Sequence, residues 1–207
     1  MATAILRDRP ISDKNLEAQR TSVDAFHMEV PFCYPAATHS RAVIGLRIAE
    51  NALGRPERVA QLDGAMLSAV SDIRDSLACA PVDPFLWLAL FWLESTREGL
   101  QPRHIDFLRM SYDLGPNEGW IAVKRIRFAL AIFPALPEML RERVLDEFPR
   151  LVRSGFYGET ADILIGPGRG MRPELLARLE GIPLQHRQYL ADRLAERKAD
   201  IAVPGVA

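Results

Sequence analysis

The chain has 207 residues, of which 48% are hydrophobic and 26% are charged, a balance typical of a globular protein rather than a disordered or collagen-like one. Its 26 basic and 27 acidic side chains give a formal net charge of −1, so the chain as a whole lacks the basic footprint of a nucleic-acid-binding protein. At this length a single domain is the better estimate, with a core that needs neither metal ions nor disulfides.

The start of the chain and its cysteines favour a cytoplasmic protein. Charges from Arg7 onward interrupt the apolar run that a secretory signal needs. The longest apolar run, 84–93, covers half of a membrane span of about 20 residues and is followed by Glu94. Cys33 and Cys79 belong to no pair motif, so we expect two free, apolar thiols in a reducing compartment. The sequence therefore predicts a cytoplasmic chain without a transmembrane segment.

Apolar residues recur at helical spacing along most of the chain. A helix is predicted near 13–26, followed by a proline-bounded loop at 31–35, and the helix after Pro56 carries Asp72 on its polar face. Further helices are predicted over 85–98, 102–114, 118–133, 137–153, 173–180 and 184–198. Pro149 is expected to kink or shorten its helix. No strand pattern longer than a few residues is present, so we predict an all-α fold of about seven to nine helices.

Two helical hairpins follow one another in the middle of the chain. Trp87 and Trp120 lie 33 residues apart, each early in the first helix of a unit, and these units span 84–114 and 117–153. A degenerate unit at 42–81 precedes these two. Ser111 lies in the second helix of a unit, and Pro81 and Pro116 lie near the ends of units. On these residues the chain resembles tetratricopeptide-like (TPR-like) helical-repeat proteins. Leu90, Phe91 and Leu93 replace the Gly and Tyr of that family, which leaves a generic stack of helical hairpins open.

The resemblance implies an antiparallel stack of helical hairpins that binds a protein or peptide on its surface. We expect an N-terminal helix and loop (1–40), a TPR-like core (41–155) and C-terminal helices (156–207) that complete the same domain. The stretch 114–120 is also similar to uncharacterised bacterial proteins encoded near exopolysaccharide and O-antigen genes, which implies a place in surface-polysaccharide biosynthesis.

Basic residues are concentrated in the middle of the chain. Residues 1–99 carry 10 basic and 13 acidic side chains, residues 100–155 carry 9 and 7, and residues 156–207 carry 7 of each. Helical repeats present a concave surface, where cations can pair with the carboxylates of a peptide or an acidic glycan. The predicted partner-binding residues are Trp120, Lys124, Arg125, Arg127, Arg103 and Arg109. The alternative is a solvated face balanced by neighbouring carboxylates.

The glycine-rich loop Gly166–Gly170 imitates a phosphate loop, because it follows a short apolar run at 161–165 and precedes a helix. A P-loop needs a Gly-Lys-Ser/Thr sequence, and no lysine here follows a glycine. We therefore expect a helix C-cap and a hinge. An anion site formed by Gly168, Arg169 and Gly170 is the alternative.

No motif for catalysis or metal binding is present in the sequence. No histidine pair or cysteine has metal-ligand spacing, and the Gly-x-Ser-x-Gly motif of acyl transfer is missing. Acidic pairs such as Asp72/Asp75 and Glu94/Glu98 are expected on solvated faces, and His104 is expected to be neutral and exposed. The sequence thus predicts no catalytic residue, no metal site and no cofactor.

These observations favour a non-catalytic protein-interaction or peptide-interaction module. One alternative is an all-α protein that binds a small ligand or acts as an enzyme, using its aromatic core or the loop 166–170. A second alternative is a structural subunit that forms homo-oligomers through exposed apolar faces. The fold class alone does not decide among the three.

Overall fold

The computed structural model describes residues 11–29, 33–53 and 59–206. Within these ranges the chain forms ten α-helices and no strand, which confirms the all-α prediction. The helices are α1 (Asp13–Glu29), α2 (Pro35–Leu53), α3 (Val59–Cys79), α4 (Pro84–Glu98), α5 (Pro102–Leu114), α6 (Gly119–Ala131), α7 (Glu138–Arg153), α8 (Tyr157–Ile165), α9 (Arg172–Ala177) and α10 (Leu184–Glu196). The expected features at residues 1–10, in the loop around 31–32 and at Pro56 lie outside the described residues.

The chain divides by its internal contacts into two compact units, one ending at Leu114 and the other beginning at Gly115. In the first unit α2 packs against α1 and α3, and α4 packs against α3 and α5. In the second unit α7 packs against α6, α8, α9 and α10. The pairs α4–α5 and α6–α7 each consist of consecutive, mutually packed helices with a short connection, the arrangement of a helical hairpin.

Helix α4, whose sequence is apolar on nearly every side, packs into the core of the first unit together with α1, α2 and α3. Leu86, Leu90 and Leu93 are among its buried residues, as predicted for a central helix. Asp83 begins the helix, because its carboxylate accepts hydrogen bonds from the backbone N–H groups of Phe85 and Leu86 at 2.9 and 3.1 Å. The helix ends at Glu98, before Gly99, whose φ of +74° is unfavourable for other residues.

Helix α8 is not among the predicted helices and α7 differs from its predicted form, and both differences have a local cause. Residues 161–165, with their strand-like apolar run, are the second half of α8, in which Ala161, Ile163 and Leu164 are buried. A run of four or five apolar residues does not distinguish a strand from a buried helix. Helix α7 continues through Pro149 to Arg153, so the proline does not shorten it. Phe148, Leu151 and Val152 are buried on both sides of the proline, and this packing favours the helical conformation there.

Cys33 and Cys79 form a disulfide, with Cα atoms 5.7 Å apart, so the expectation of two free thiols is wrong. The bond joins a residue just before α2 to the last residue of α3. The two helices pack along each other, and this brings together cysteines that are 46 residues apart in the chain. Disulfides are typical of oxidising compartments, which removes the cysteine argument for a cytoplasmic protein. None of the described helices is long and apolar enough to span a membrane.

Candidate functional site

Three of the predicted partner-binding residues share one face of α6. Trp120, Lys124 and Arg127 follow the i, i+4, i+7 spacing of a helix face, and we call them the α6 stripe. Trp120 is 37% exposed, so part of this large aromatic residue lies at the surface. Arg127 is exposed and forms no ion pair with any residue that the structure describes. The stripe therefore offers an aromatic ring and an uncompensated cation to solvent.

Arg125 lies on the opposite side of α6, in the interior of the second unit. Its side chain is fully buried and pairs with the buried carboxylate of Glu147 on α7. The Nε–H group donates to Oε1 of Glu147 at 3.1 Å, and Nη2 donates to the carbonyl oxygen of Gly115 at 3.2 Å. The prediction that Arg125 contacts a partner is therefore wrong, because its side chain has no exposed surface. This arginine holds α6 against α7 and against the turn that precedes α6.

A cleft of about 230 Å³ opens beside this ion pair, between the start of α6 and the end of α7. Its lining consists of Pro116, Asn117, Gly119, Ala122, Glu147, Arg150, Leu151, Arg153 and Ser154. No carboxylate in the described part of the chain pairs with Arg150 or Arg153. Asn117 and Gly119 belong to the lining, so the N-terminal end of α6 and the positive end of its helix dipole lie at this cleft. We call this feature the α6–α7 cleft.

The position of Gly119 explains why the start of α6 approaches its neighbours so closely. A Cβ atom at Gly119 would lie 2.6 and 2.8 Å from two ring carbons of Phe156, closer than real carbon contacts allow. Glycine is therefore needed where the first turn of α6 meets the segment before α8. The same residue brings the backbone of α6 to the wall of the cleft.

The other two predicted contact residues, Arg103 and Arg109, lie on α5 in the first unit, and each has an acidic neighbour. Arg103 pairs with Glu98, and Arg109 pairs with Asp106 at 3.1 Å. Both arginines are more than half exposed. Their pairing agrees with the alternative expectation of a balanced, solvated face.

The glycine-rich loop is built as the end of a helix. Gly166 follows the last residue of α8, and the N–H of Gly168 donates to the carbonyl of Ile163 at 2.8 Å. A Cβ atom at Gly168 would lie 2.9 Å from that same oxygen. The expected C-cap is confirmed, and the Gly168 N–H that an anion would need is already used. Arg169 and Gly170 are exposed, and the anion site at these residues stays a prediction.

A cluster of two carboxylates and one imidazole lies in the first unit, where α4 ends and α5 begins. Glu94 and Glu98 are one turn apart on α4, and His104 is in the first turn of α5. One ligand atom from each of the three residues lies within 4.8 Å of the other two. The Nε2 atom of His104 is 4.0 Å from Oε2 of Glu98 and has no hydrogen-bond partner in the described structure.

The burial of this cluster corrects two expectations. His104 has no exposed surface and Glu94 is 3% exposed, although both were expected at solvated positions. Arg74 compensates the buried charge of Glu94 through an ion pair of 2.5 Å. Burial lowers the pKa of His104, and the positive charge of Arg103 lowers it further, which favours the neutral imidazole that the sequence predicts. The spacing of Glu94 and Glu98 was visible in the sequence, but their approach to His104 depends on the turn at 99–101.

Asp72 is a third acidic residue whose predicted exposure is wrong. Its carboxylate is 1% exposed and pairs with Arg20 of α1 at 2.6 Å and Arg41 of α2 at 3.0 Å. Burial raises the pKa of Asp72, an effect that the two arginines oppose. These two ion pairs connect α3 to α1 and α2, so the buried carboxylate of Asp72 helps to hold the three helices together.

The structure is that of an all-α protein whose second unit exposes Trp120 and, on the two packed helices α6 and α7, three arginines without carboxylate partners among the described residues. No protein-family model, curated protein or solved structure matches this chain. The likeness to TPR-like repeats and to proteins of polysaccharide gene clusters therefore stays a prediction.

Proposed function

We propose that the chain is a non-catalytic binding module that recognises an acidic segment of a protein or peptide partner. The α6 stripe and the α6–α7 cleft supply the contacts. The observation that carries the proposal is the set of three arginines without carboxylate partners in the described structure, Arg127, Arg150 and Arg153, on two mutually packed helices that also present Trp120.

Arginine and tryptophan suit this task for different reasons. The planar guanidinium group can form two parallel hydrogen bonds to one carboxylate, which gives orientation as well as attraction. An exposed indole buries a large apolar area when a partner covers it, and both residue types are enriched among binding hot spots. Exposed ion pairs contribute only about 0–1 kcal/mol each, so recognition here depends on several cations acting with the ring. Binding should weaken as salt concentration rises.

The TPR-like stack that the hairpins α4–α5 and α6–α7 would form is part of the same proposal, because helical-repeat folds work by presenting surfaces. The proposed setting in bacterial surface-polysaccharide biosynthesis rests on the similarity of residues 114–120 to proteins encoded near those genes. An acidic glycan offers the same carboxylate chemistry as an acidic peptide, and the experiment below distinguishes the two.

The test is the binding of a fluorescently labelled, glutamate-rich peptide, measured by anisotropy at low salt. The variant Arg127→Glu, Arg150→Glu, Arg153→Glu should lose at least about tenfold in affinity, equivalent to about 1.4 kcal/mol. Its melting temperature should stay close to that of the native chain, since all three side chains lie at the surface. Arg125 must stay unchanged, because reversal of its buried charge would unfold the second unit.

A matched variant controls for net charge. Arg169→Glu, Arg193→Glu, Lys198→Glu makes the same change in charge at exposed positions outside α6 and α7. We expect this variant to bind like the native chain. Equal loss in both variants would reduce the proposal to nonspecific charge attraction, and loss in the control alone would move binding towards the loop 166–170. Tighter binding of an oligogalacturonate than of the peptide would assign the surface to a glycan.

A further inference from the structure

We propose that Glu94, Glu98 and His104 form a binding site for a divalent transition-metal ion, with Zn²⁺ as the best-suited ion. The site lies in the first unit and shares no residue with the α6 stripe or the α6–α7 cleft of the second. Two carboxylate oxygens and one imidazole nitrogen are a ligand set that Zn²⁺ accepts, and three protein ligands leave one position for water or another ligand.

The unsatisfied imidazole is the observation that separates this cluster from an ordinary pair of surface acids. His104 is fully buried, yet its Nε2 atom has no hydrogen-bond partner in the described residues and faces the carboxylate of Glu98 at 4.0 Å. A buried polar atom without a partner costs free energy, and a metal ion would supply that partner. Ligands bound at about 2.0–2.1 Å in a tetrahedral site are about 3.4 Å apart, so the Nε2–Oε2 distance needs to shorten by less than 1 Å.

The surrounding residues can orient the ligands. Arg74 binds only the Oε1 atom of Glu94, which leaves the second oxygen of that carboxylate for the ion. The Nδ1 atom of His104 lies 3.3 Å from the hydroxyl of Ser95, which can accept a hydrogen bond from Nδ1–H when Nε2 is a ligand. The Gln101 N–H donates to Nδ1 at 3.2 Å in this structure and would give up that bond. Metal binding thus replaces the hydrogen bond from the Gln101 N–H to Nδ1 by one from Nδ1–H to the Ser95 hydroxyl.

Arg103 competes with the ion for Glu98. Its guanidinium group pairs with the same oxygen, Oε2, that lies nearest to His104. Because 58% of the Arg103 side chain is exposed, the guanidinium group can turn into solvent at small cost. This competition gives the proposal an unusual prediction, since removal of Arg103 should strengthen metal binding.

The experiment is a calorimetric titration of the full chain with Zn²⁺, without an affinity tag and with the Cys33–Cys79 disulfide intact, because free thiols would themselves bind Zn²⁺. We expect one equivalent to bind, and Co²⁺ at the same site should give visible absorption from its d electrons. Glu98→Gln and His104→Gln should each weaken Zn²⁺ binding at least tenfold, and Arg103→Gln should strengthen it severalfold. Glu98 is partly exposed, so its variant tests the site even if the His104 variant fails to fold.

His186→Gln is the matched control. His186 is a half-buried histidine of the second unit whose Nδ1 atom lies 2.7 Å from the hydroxyl of Tyr157, and its substitution should leave Zn²⁺ affinity unchanged. The proposal is overturned if the native chain binds no Zn²⁺, or if Glu98→Gln binds it as tightly as the native chain. Weaker binding by Arg103→Gln would overturn the assigned competition.

Discussion

The ion pair between Arg125 and Glu147 shows how the position of a single residue changes its role. Both side chains are buried, and Arg125 also donates to the carbonyl of Gly115. A buried charge whose partner is removed keeps the full cost of its desolvation. The pair therefore makes the fold of the second unit depend on both residues, although neither is apolar.

We predict that Glu147→Leu lowers the free energy of unfolding by about 3 kcal/mol or more, because it removes the carboxylate that compensates the buried charge of Arg125. The double variant Arg125→Leu, Glu147→Leu should recover a large part of this loss. Urea unfolding followed by circular dichroism measures both. As a control, Glu196→Leu removes one partner of the exposed pair with Arg193 and should cost less than about 1 kcal/mol. Equal losses at the buried and exposed pairs would contradict this account.

Asp83 is a residue whose contribution should depend on pH. Partial burial acts to raise its pKa, but the hydrogen bond and charge of His39, 3.2 Å away, and the N–H groups of Phe85 and Leu86 outweigh this effect and lower the pKa below 3.8. A lowered pKa means that the folded state favours the carboxylate. Its contribution to stability is therefore present above pH 3.8 and is lost as the pH falls through the lower, folded-state value.

Asp83→Ala should consequently destabilise the chain by about 1 kcal/mol at neutral pH, the usual cost of losing a helix N-cap. The difference from the native chain should shrink in acid, once the carboxylate of the native chain is protonated. Asp83→Asn keeps a capping oxygen and should lose less at neutral pH. Unfolding titrations at pH values on either side of the transition measure these differences. A deficit of Asp83→Ala that stays constant into strong acid would refute the assigned role of the charge.

At the scale of elements, the disulfide connects the start of α2 with the end of α3. A cross-link between residues 46 positions apart reduces the conformational entropy of the unfolded chain, by about 4 kcal/mol in the loop-entropy model. We predict that reduction lowers the free energy of unfolding of the first unit by up to this amount, which is measured as a lower urea midpoint. The variant Cys33→Ser, Cys79→Ser should show the same low midpoint with and without reductant. Identical midpoints for oxidised and reduced native chain would show that the bond contributes nothing.

Local patterns in the sequence predicted most of the helices, because helical periodicity and N-terminal prolines are properties of neighbouring residues. The bounds of α5, for example, agree with the predicted 102–114. The strand-like run at 161–165 was ambiguous because its length fits either structure. The burial of Arg125 was accessible in principle, since it lies one turn from both Ile121 and Ala129, which are buried. Arg125 was predicted at the surface because it is charged, although its spacing from these residues indicates a buried position.

The candidate sites depend on contacts that are distant in the sequence, and this is why they were predicted less well. Glu94 and His104 meet only because α5 returns along α4 after the turn at 99–101. Arg150 and Arg153 belong to the predicted helix 137–153, but their position at a cleft depends on the packing of α6. Of the α6 stripe, Trp120 and Arg127 have the predicted surface exposure.

At the scale of the whole molecule, the near-neutral net charge conceals a difference between the two units. Residues 1–114 carry 12 basic and 15 acidic side chains, whereas residues 115–207 carry 14 and 12. The unit that holds the α6 stripe and the α6–α7 cleft is thus the basic one. An acidic partner would be attracted towards this unit, with a salt-dependent association rate.

The most direct test of the proposed function is an NMR titration of the isotope-labelled chain with the glutamate-rich peptide at low salt. The proposed function predicts that the largest shifts occur at backbone amides of residues 117–127 and 147–154, and that amides of α1 to α5 change little. The largest shifts at α1 to α5 or at residues 166–170, or no shifts at any peptide concentration, would contradict it.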